Sequence, residues 1–307
     1  METTPAPAIE VRNLTKTYRE ANALDSVSLS LEANRIYGLL GRNGAGKTTL
    51  MSILSGQGFP TGGQVLIHGK DPYENDGTLA RICFIRESQR YPDDFNARQA
   101  FRAAALFFAN WDQDLAERLI EDFALPTKRR IKKLSRGQLS AVGVIIGMAA
   151  RAEITVFDEP YLGLDAVARQ IFYDRLVEDY SAHPRTIVLS SHLIDEIANL
   201  LEHVVVIDKG RIILDEDADS LRGSAFAVTG NQEKVAAFIE GHRVLHRDSL
   251  GSLASVTIQA RLGATERAMA AELGLELSPV PLQQLVVRTT MAAQTEPRGD
   301  RYQEALK

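Results

Sequence analysis

The sequence predicts an α/β fold with a mainly parallel core sheet, on three observations. Short apolar runs that read as buried strands alternate with longer stretches that read as helices. One such run, residues 35–40, passes straight into Gly41-Arg42-Asn43-Gly44-Ala45-Gly46-Lys47-Thr48-Thr49. Another, Ile154-Thr155-Val156-Phe157, ends in two adjacent carboxylates, Asp158 and Glu159, followed by Pro160.

The elements follow in order. Residues 9–18 alternate loosely and read as an edge strand. Residues 26–31 (Ser-Val-Ser-Leu-Ser-Leu) alternate with period two, the mark of a strand with one buried face. The strand at 35–40 precedes the glycine-rich loop, and a helix over 47–55 follows it. Residues 64–68 form a short strand between turn signals at Thr61-Gly62-Gly63 and Gly69-Lys70-Asp71-Pro72. Residues 81–86 form the next strand. From residue 97 to 150 the composition turns helical, and Ser135 can cap the last of these helices. Strands at 154–157 and 186–189 alternate with helices at 166–181 and 193–200. A hairpin at 203–215 turns on Lys209-Gly210.

Arg222-Gly223-Ser224 marks a boundary between an α/β domain over 1–222 and a smaller α/β unit over 223–290. In the second unit, strands are expected at 225–229, 255–259 and 285–288, and helices at 232–240 and 265–273. Residues 291–307 are polar, broken by Pro297 and Gly299, and expected to be disordered.

Whole-chain properties bound the function. The 307 residues carry a formal net charge of -5, which gives no basic footprint for nucleic acid. A single cysteine, Cys83, excludes an intrachain disulfide and a cysteine-based zinc cluster. The N-terminus lacks the basic start and apolar run of a signal peptide. The longest nearly apolar run, residues 141–150, falls well short of the about 20 residues that span a bilayer. Any membrane role therefore needs a separate partner.

The glycine-rich segment has the form G-x-x-x-x-G-K-[ST], in the strand–loop–helix context that a phosphate loop needs. Its backbone N–H groups and the following helix N-terminus suit an anion. Lys47 is placed to reach β- and γ-phosphates, Thr48 to ligate Mg²⁺, and Thr49 to sit near the α-phosphate. A buried strand ending in Asp158 and Glu159 suits a metal and water site. Asp158 would hold Mg²⁺, and Glu159 would orient and deprotonate water. Ser190-Ser191-His192 follows another strand, from which a histidine can reach a γ-phosphate.

Leu134-Ser135-Arg136-Gly137-Gln138 resembles the signature loop of ATP-binding-cassette (ABC) ATPases. With the phosphate loop, the carboxylate pair and His192 in the same order, the chain resembles the nucleotide-binding subunit of an ABC transporter over about residues 9–221. The resemblance implies a P-loop ATPase core with an antiparallel β subdomain and a helical arm at about 97–150. It implies that Tyr18 stacks on adenine, that Gly163-Leu164-Asp165 is the D-loop and that His192 is the switch histidine. It further implies a head-to-tail dimer, homomeric or heteromeric, with two ATP molecules sandwiched between the chains. Ser135 and the Gly137 N–H, with Gln138 and Asp165, would then serve the nucleotide held by the partner's phosphate loop. ATP-driven closure and reopening would power a separate integral membrane permease at the cytoplasmic face of the membrane. The alternative within the family is a soluble ATPase acting on ribosomes or DNA.

The chain departs from the family pattern at three places. Arg136 replaces the usual first glycine of the signature, where it either tunes the contact or faces solvent. The Q-loop glutamine position falls on Glu87 when counted from the strand, or on Gln89 with a two-residue shift; Glu87 can accept from a metal-bound water. The Gln-Arg pair that follows the signature in many importers is missing, which leans toward export. The basic run Lys128-Arg129-Arg130-Ile131-Lys132-Lys133 reads as a solvated loop, or as a contact for anionic lipid heads or an acidic partner helix. The C-terminal unit resembles tails of exporter-type members, with a regulatory or dimer-stabilising role as the expectation.

Overall fold

The computed structural model describes residues 7–19, 21–87, 89–191 and 193–295. The chain divides into two compact units, residues 1–193 with 199–215, and residues 194–198 with 216–307. Among the described residues, no helix is long and apolar enough to cross a membrane.

The first unit opens with β1 (Ile9–Tyr18), β2 (Ala21–Leu31), β3 (Ile36–Leu40), α1 (Lys47–Leu54), β4 (Gly62–Ile67), α2 (Asp76–Leu79) and β5 (Ile82–Arg86). The helical arm comprises α3 (Ala97–Phe107), α4 (Gln113–Asp122) and α5 (Arg136–Ala149). Then come β6 (Ile154–Asp158), α6 (Ala166–Ala182) and β7 (Thr186–Ser191). The short α7 (Ile194–Ile197), which groups with the second unit, precedes β8 (His203–Asp208) and β9 (Arg211–Asp217).

The core sheet has the order β5-β6-β7-β3-β8-β9. The pairs from β5 through β8 are parallel. Lys209 and Gly210, with φ of 46° and 77°, make the two-residue β8–β9 turn. A second, antiparallel sheet has the order β2-β1-β4. β1 is therefore central, not the expected edge strand, since it pairs on both sides. Its loose alternation has a structural cause: register shifts break the period of two after Val11 and Leu14.

Helix α1 is buried between the two sheets. Leu50, Met51, Ile53 and Leu54 share one core with Ile9, Val11 and Leu14 of β1 and with Val188 and Val205 of the parallel sheet. The arm is seated by close approach. A Cβ on Gly147 of α5 would lie 2.4 Å from the Phe157 ring, so only glycine lets this helix rest on β6. In the basic run 128–133, Ile131 is buried and the five cationic side chains are exposed. Cys83 is buried on β5, and that burial pushes its thiol up to about 12, which leaves it inert as a nucleophile.

The second unit contains α8 (Ala218–Leu221), β10 (Phe226–Asn231), α9 (Gln232–Phe238), β11 (Arg243–Leu250), β12 (Leu253–Gln259), α10 (Ala264–Leu273), β13 (Glu276–Pro279) and α11 (Leu282–Thr295). Its antiparallel sheet, β11-β12-β10-β13, is wound as βαββαβ, a ferredoxin-like arrangement. Phe226, Val228, Val256 and Ile258 pack against Val235 and Phe238 of α9 and Ala270 of α10. The strand expected at 285–288 is instead part of α11. Leu282, Leu285 and Val286 are buried at helical spacing, which the four-residue window hid. The helix also covers 291–295, where the disordered tail was expected to start; residues 296–307 lie outside the described residues.

An ion network ties arm to core within the first unit. The Asp179 carboxylate of α6, 4% exposed, lies 2.8 Å from Arg151 Nη2 and 2.8 Å from Arg185 Nη1. Arg151 also reaches Asp112 at 2.7 Å, and Asp112 caps α4. Removing the shared anion leaves two cations short of a partner in a buried place. Asp179→Ala is expected to destabilise the first unit by about 3–5 kcal/mol, read as a lower urea midpoint at unchanged slope.

Candidate nucleotide site

The loop between β3 and α1 is shaped by its glycines. Gly46 N-caps α1 at φ 114°, and a Cβ there would lie 2.6 Å from Ala23 O. Ala45 donates its N–H to Arg42 O at 3.1 Å. Lys47, only 5% exposed, folds back over the loop and donates to Gly41 O at 2.7 Å and Arg42 O at 3.3 Å. Its ammonium also lies 3.7 Å from Glu159 Oε1.

Strand register brings the carboxylates to this loop. Ser190 of β7 is paired with Leu39 of β3 on one side and Asp158 of β6 on the other. Thr48 Oγ1 donates to Asp158 Oδ2 at 2.8 Å, and Ser190 Oγ donates to Asp158 Oδ1 at 2.8 Å. Ser190 Oγ in turn accepts the Glu159 N–H at 3.0 Å. Glu159 sits at φ 50°, a strained value for a non-glycine residue. Tyr161 Oη lies 3.5 Å from Glu159 Oε2 and 2.9 Å from Ser191 Oγ. The sequence reading named Ser190 and Ser191 only as the approach to His192, and it passed over Tyr161. A pair of serines at the end of a buried strand was the available signal.

Lys47, Thr48, Asp158 and Glu159 face one open cavity of ≈ 570 Å³, with Ser190, Ser191 and Tyr161 buried behind its lining. Asn43, Gly44, Gly46, Lys47, Thr48 and Thr49 line it from the loop side. Glu87, Asp158 and Glu159 line it from the carboxylate side. Gln89 turns away, its Oε1 accepting the Arg86 N–H at 3.4 Å. Gly41 contributes its carbonyl to Lys47, and Ala45 is buried beneath the loop. Tyr18 ends β1 outside this lining, 55% exposed, with Lys16 Nζ 4.8 Å over its ring. His192 lies outside the described residues.

Ser135, Gly137 and Gln138 lie at the start of α5, outside the cavity lining. Ser135 Oγ accepts the Gln138 N–H at 3.2 Å, and Gln138 Oε1 accepts the Ser135 N–H at 3.1 Å, a reciprocal capping box. Asp165 N-caps α6 by accepting the Ala168 N–H at 2.8 Å.

Known proteins resemble this chain in sequence and in fold. The family described as ABC transporter matches residues 24–162. The doxorubicin resistance ATP-binding protein DrrA of Mycobacterium tuberculosis is 31% identical over 228 residues, 71% of this chain and 68% of that protein. The bacitracin transport ATP-binding protein BcrA of Bacillus licheniformis is 28% identical over 264 residues, 83% of this chain and 86% of that protein. Among solved structures, an ATP-binding subunit of an ABC transporter aligns with a TM-score of 0.63 at 23% identity, over 70% of this chain and 91% of that one. A dimeric ATP-binding cassette bound to ADP and Pi aligns with a TM-score of 0.61 at 20% identity, over 68% and 98%. The chain belongs to the ABC transporter family, as an ATP-binding and ATP-hydrolysing subunit.

Proposed function

We propose that the chain works as one half of a two-chain ATP-driven motor that powers a separate membrane permease, in the direction of export. The observation that carries this reading is a division within one chain. Lys47, Thr48, Asp158 and Glu159 face a common cavity, while Ser135, Gly137 and Gln138 lie outside it. A second copy, or a related chain, turned head to tail brings its own Ser135 turn to that cavity. Relatives named for bacitracin transport, doxorubicin resistance and Nod factor export support the outward direction. The place of work is then the cytoplasmic face of the membrane, against the permease.

The residues act as follows in this reading. Tyr18 stacks on adenine. The loop from Gly41 to Thr49 wraps the phosphates, and Lys47 exchanges its carbonyl partners for β- and γ-phosphate oxygens. Thr48 Oγ1 and Asp158 Oδ2, hard oxygen donors 2.8 Å apart, fit Mg²⁺, with Glu87 across the cavity able to accept from a metal-bound water. Among the described residues, no group of three or more His, Cys, Asp and Glu could hold a metal alone, so phosphate oxygens complete this site. When bound, Mg²⁺ neutralises charge that builds on the phosphate oxygens. Glu159 takes a proton from water as its oxygen attacks the γ-phosphorus. The bond to the β–γ bridging oxygen breaks, and its electron pair leaves with ADP. His192 holds the γ-phosphate. The Ser135 hydroxyl and Gly137 N–H contact the γ-phosphate across the dimer, supported by Gln138 and Asp165.

Three experiments test the reading. Glu159→Gln is expected to bind ATP normally and to lower turnover by about 100-fold or more, while size exclusion with ATP shows a trapped dimer. Turnover near that of the unmodified chain refutes the role of Glu159. Lys47→Ala is expected to weaken ATP binding by about 10-fold or more in calorimetry, because the replaced cation faces the phosphates directly. A tagged chain purified from gently solubilised membranes is expected to bring down one multi-span protein in stoichiometric amount. Ribosomal or DNA-repair proteins in its place overturn the transport reading.

A further inference from the structure

Arg136 and Glu87, two of the positions at which the chain departs from its family's pattern, meet in space. Arg136 Nη2 donates to Glu87 Oε1 at 2.6 Å. Arg136 is the first residue of α5, and Glu87 directly follows β5 at the cavity rim. Between them lies the turn before Asp165. Gly163 has φ 97°, and a Cβ there would lie 2.8 Å from Arg136 Cγ. The same turn accepts Ser140 Oγ of α5 on Leu162 O at 2.6 Å. The Arg136 side chain therefore runs from the signature turn, over the backbone of Gly163, to a carboxylate lining the chain's own cavity.

We propose that Arg136 is a positioning residue that ties Glu87 to the signature turn, so that the state of a chain's own cavity sets the orientation of the signature it offers to its partner. The proposal rests on the function proposed above. Both side chains are substantially exposed, 69% for Arg136 and 44% for Glu87. An exposed pair of this kind contributes little to folding stability. Its effect lies in position. When Glu87 turns to accept from a metal-bound water in the loaded cavity, the Arg136 guanidinium paired with it shifts too. The signature turn and the turn around Gly163 move with it, because Ser140 and the close Arg136–Gly163 packing join them. The usual glycine at position 136 has no side chain that could make this link.

The test is a double-mutant cycle on turnover at saturating Mg-ATP, using Arg136→Gln, Glu87→Gln and both together. Each single change is expected to lower turnover about 3- to 10-fold at low salt, and the double change no further than the worse single. Singles without effect, or losses that multiply in the double variant, overturn the tether. Raising NaCl from about 0.05 to 0.5 M is expected to slow the unmodified chain more than Arg136→Gln, because the pair is ionic and screened. Equal salt sensitivity also overturns it. Thermal midpoints of all variants within about 2 °C of the parent show that the losses do not come from unfolding. The two readings fail separately. Unimpaired hydrolysis by Glu159→Gln removes the parent mechanism, whereas a stalled Glu159→Gln with a multiplicative cycle removes only the tether.

Discussion

The site depends on one costly arrangement: two carboxylates at the buried end of β6. Asp158 and Glu159 are 5% and 7% exposed, and unpaired anions at that depth are strongly unfavourable. Donors from neighbouring elements offset the cost. Thr48 and Ser190 bond the two oxygens of Asp158, and Lys47 approaches Glu159. These donors come together because β3, β7 and β6 are adjacent and in register, with Ser190 between the phosphate loop and the carboxylates. The parallel sheet thus does more than carry the motifs. Its register makes buried negative charge tolerable beside a loop built for anions. The left-handed backbone at Glu159 belongs to the same arrangement, with its N–H given to Ser190.

Much of the fold was legible because local pattern and burial coincide there. The strands at β3, β6 and β7 are buried throughout, and their C-terminal ends with the loops that follow carry the glycines, carboxylates and serines of the site. The helix beginning after Ser135 was legible from its cap. Other features depend on information that the local sequence does not carry. Nothing in residues 9–18 says that both edges of β1 are paired; that depends on β4, more than 40 residues later. β11 escaped notice because six of its eight residues are exposed and its apolar residues do not alternate onto one face. The segment 285–288 looked like a strand because β-branched Val286 and Val287 dominate a short window, while the helix is fixed by spacing beyond it. Within the site, motif spacing pointed to Lys47, Thr48, Asp158 and Glu159. Tyr161 and the meeting of Glu87 with Arg136 exist only through tertiary approach.

Helix α5 connects these features mechanically. Its N-terminus carries the signature turn, and its middle rests on Phe157 and Ile85 through Gly143 and Gly147. Arg151, just beyond its C-terminus, joins the ion network on Asp179. The helix touches the strand bearing Asp158 and the strand leading to Glu87, and both its ends are anchored. A displacement at the cavity rim therefore has a rigid element to act upon.

The capping box at Ser135 has a kinetic consequence. Both of its hydrogen bonds are neutral, and they close within four residues of one chain. The turn therefore takes its shape as the arm folds, before any partner arrives. In the two-chain motor proposed above, association then meets a surface that is already ordered, so little side-chain or backbone freedom is lost there on contact. The encounter rate is then governed by collision and orientation, with no slow rearrangement of this loop in between.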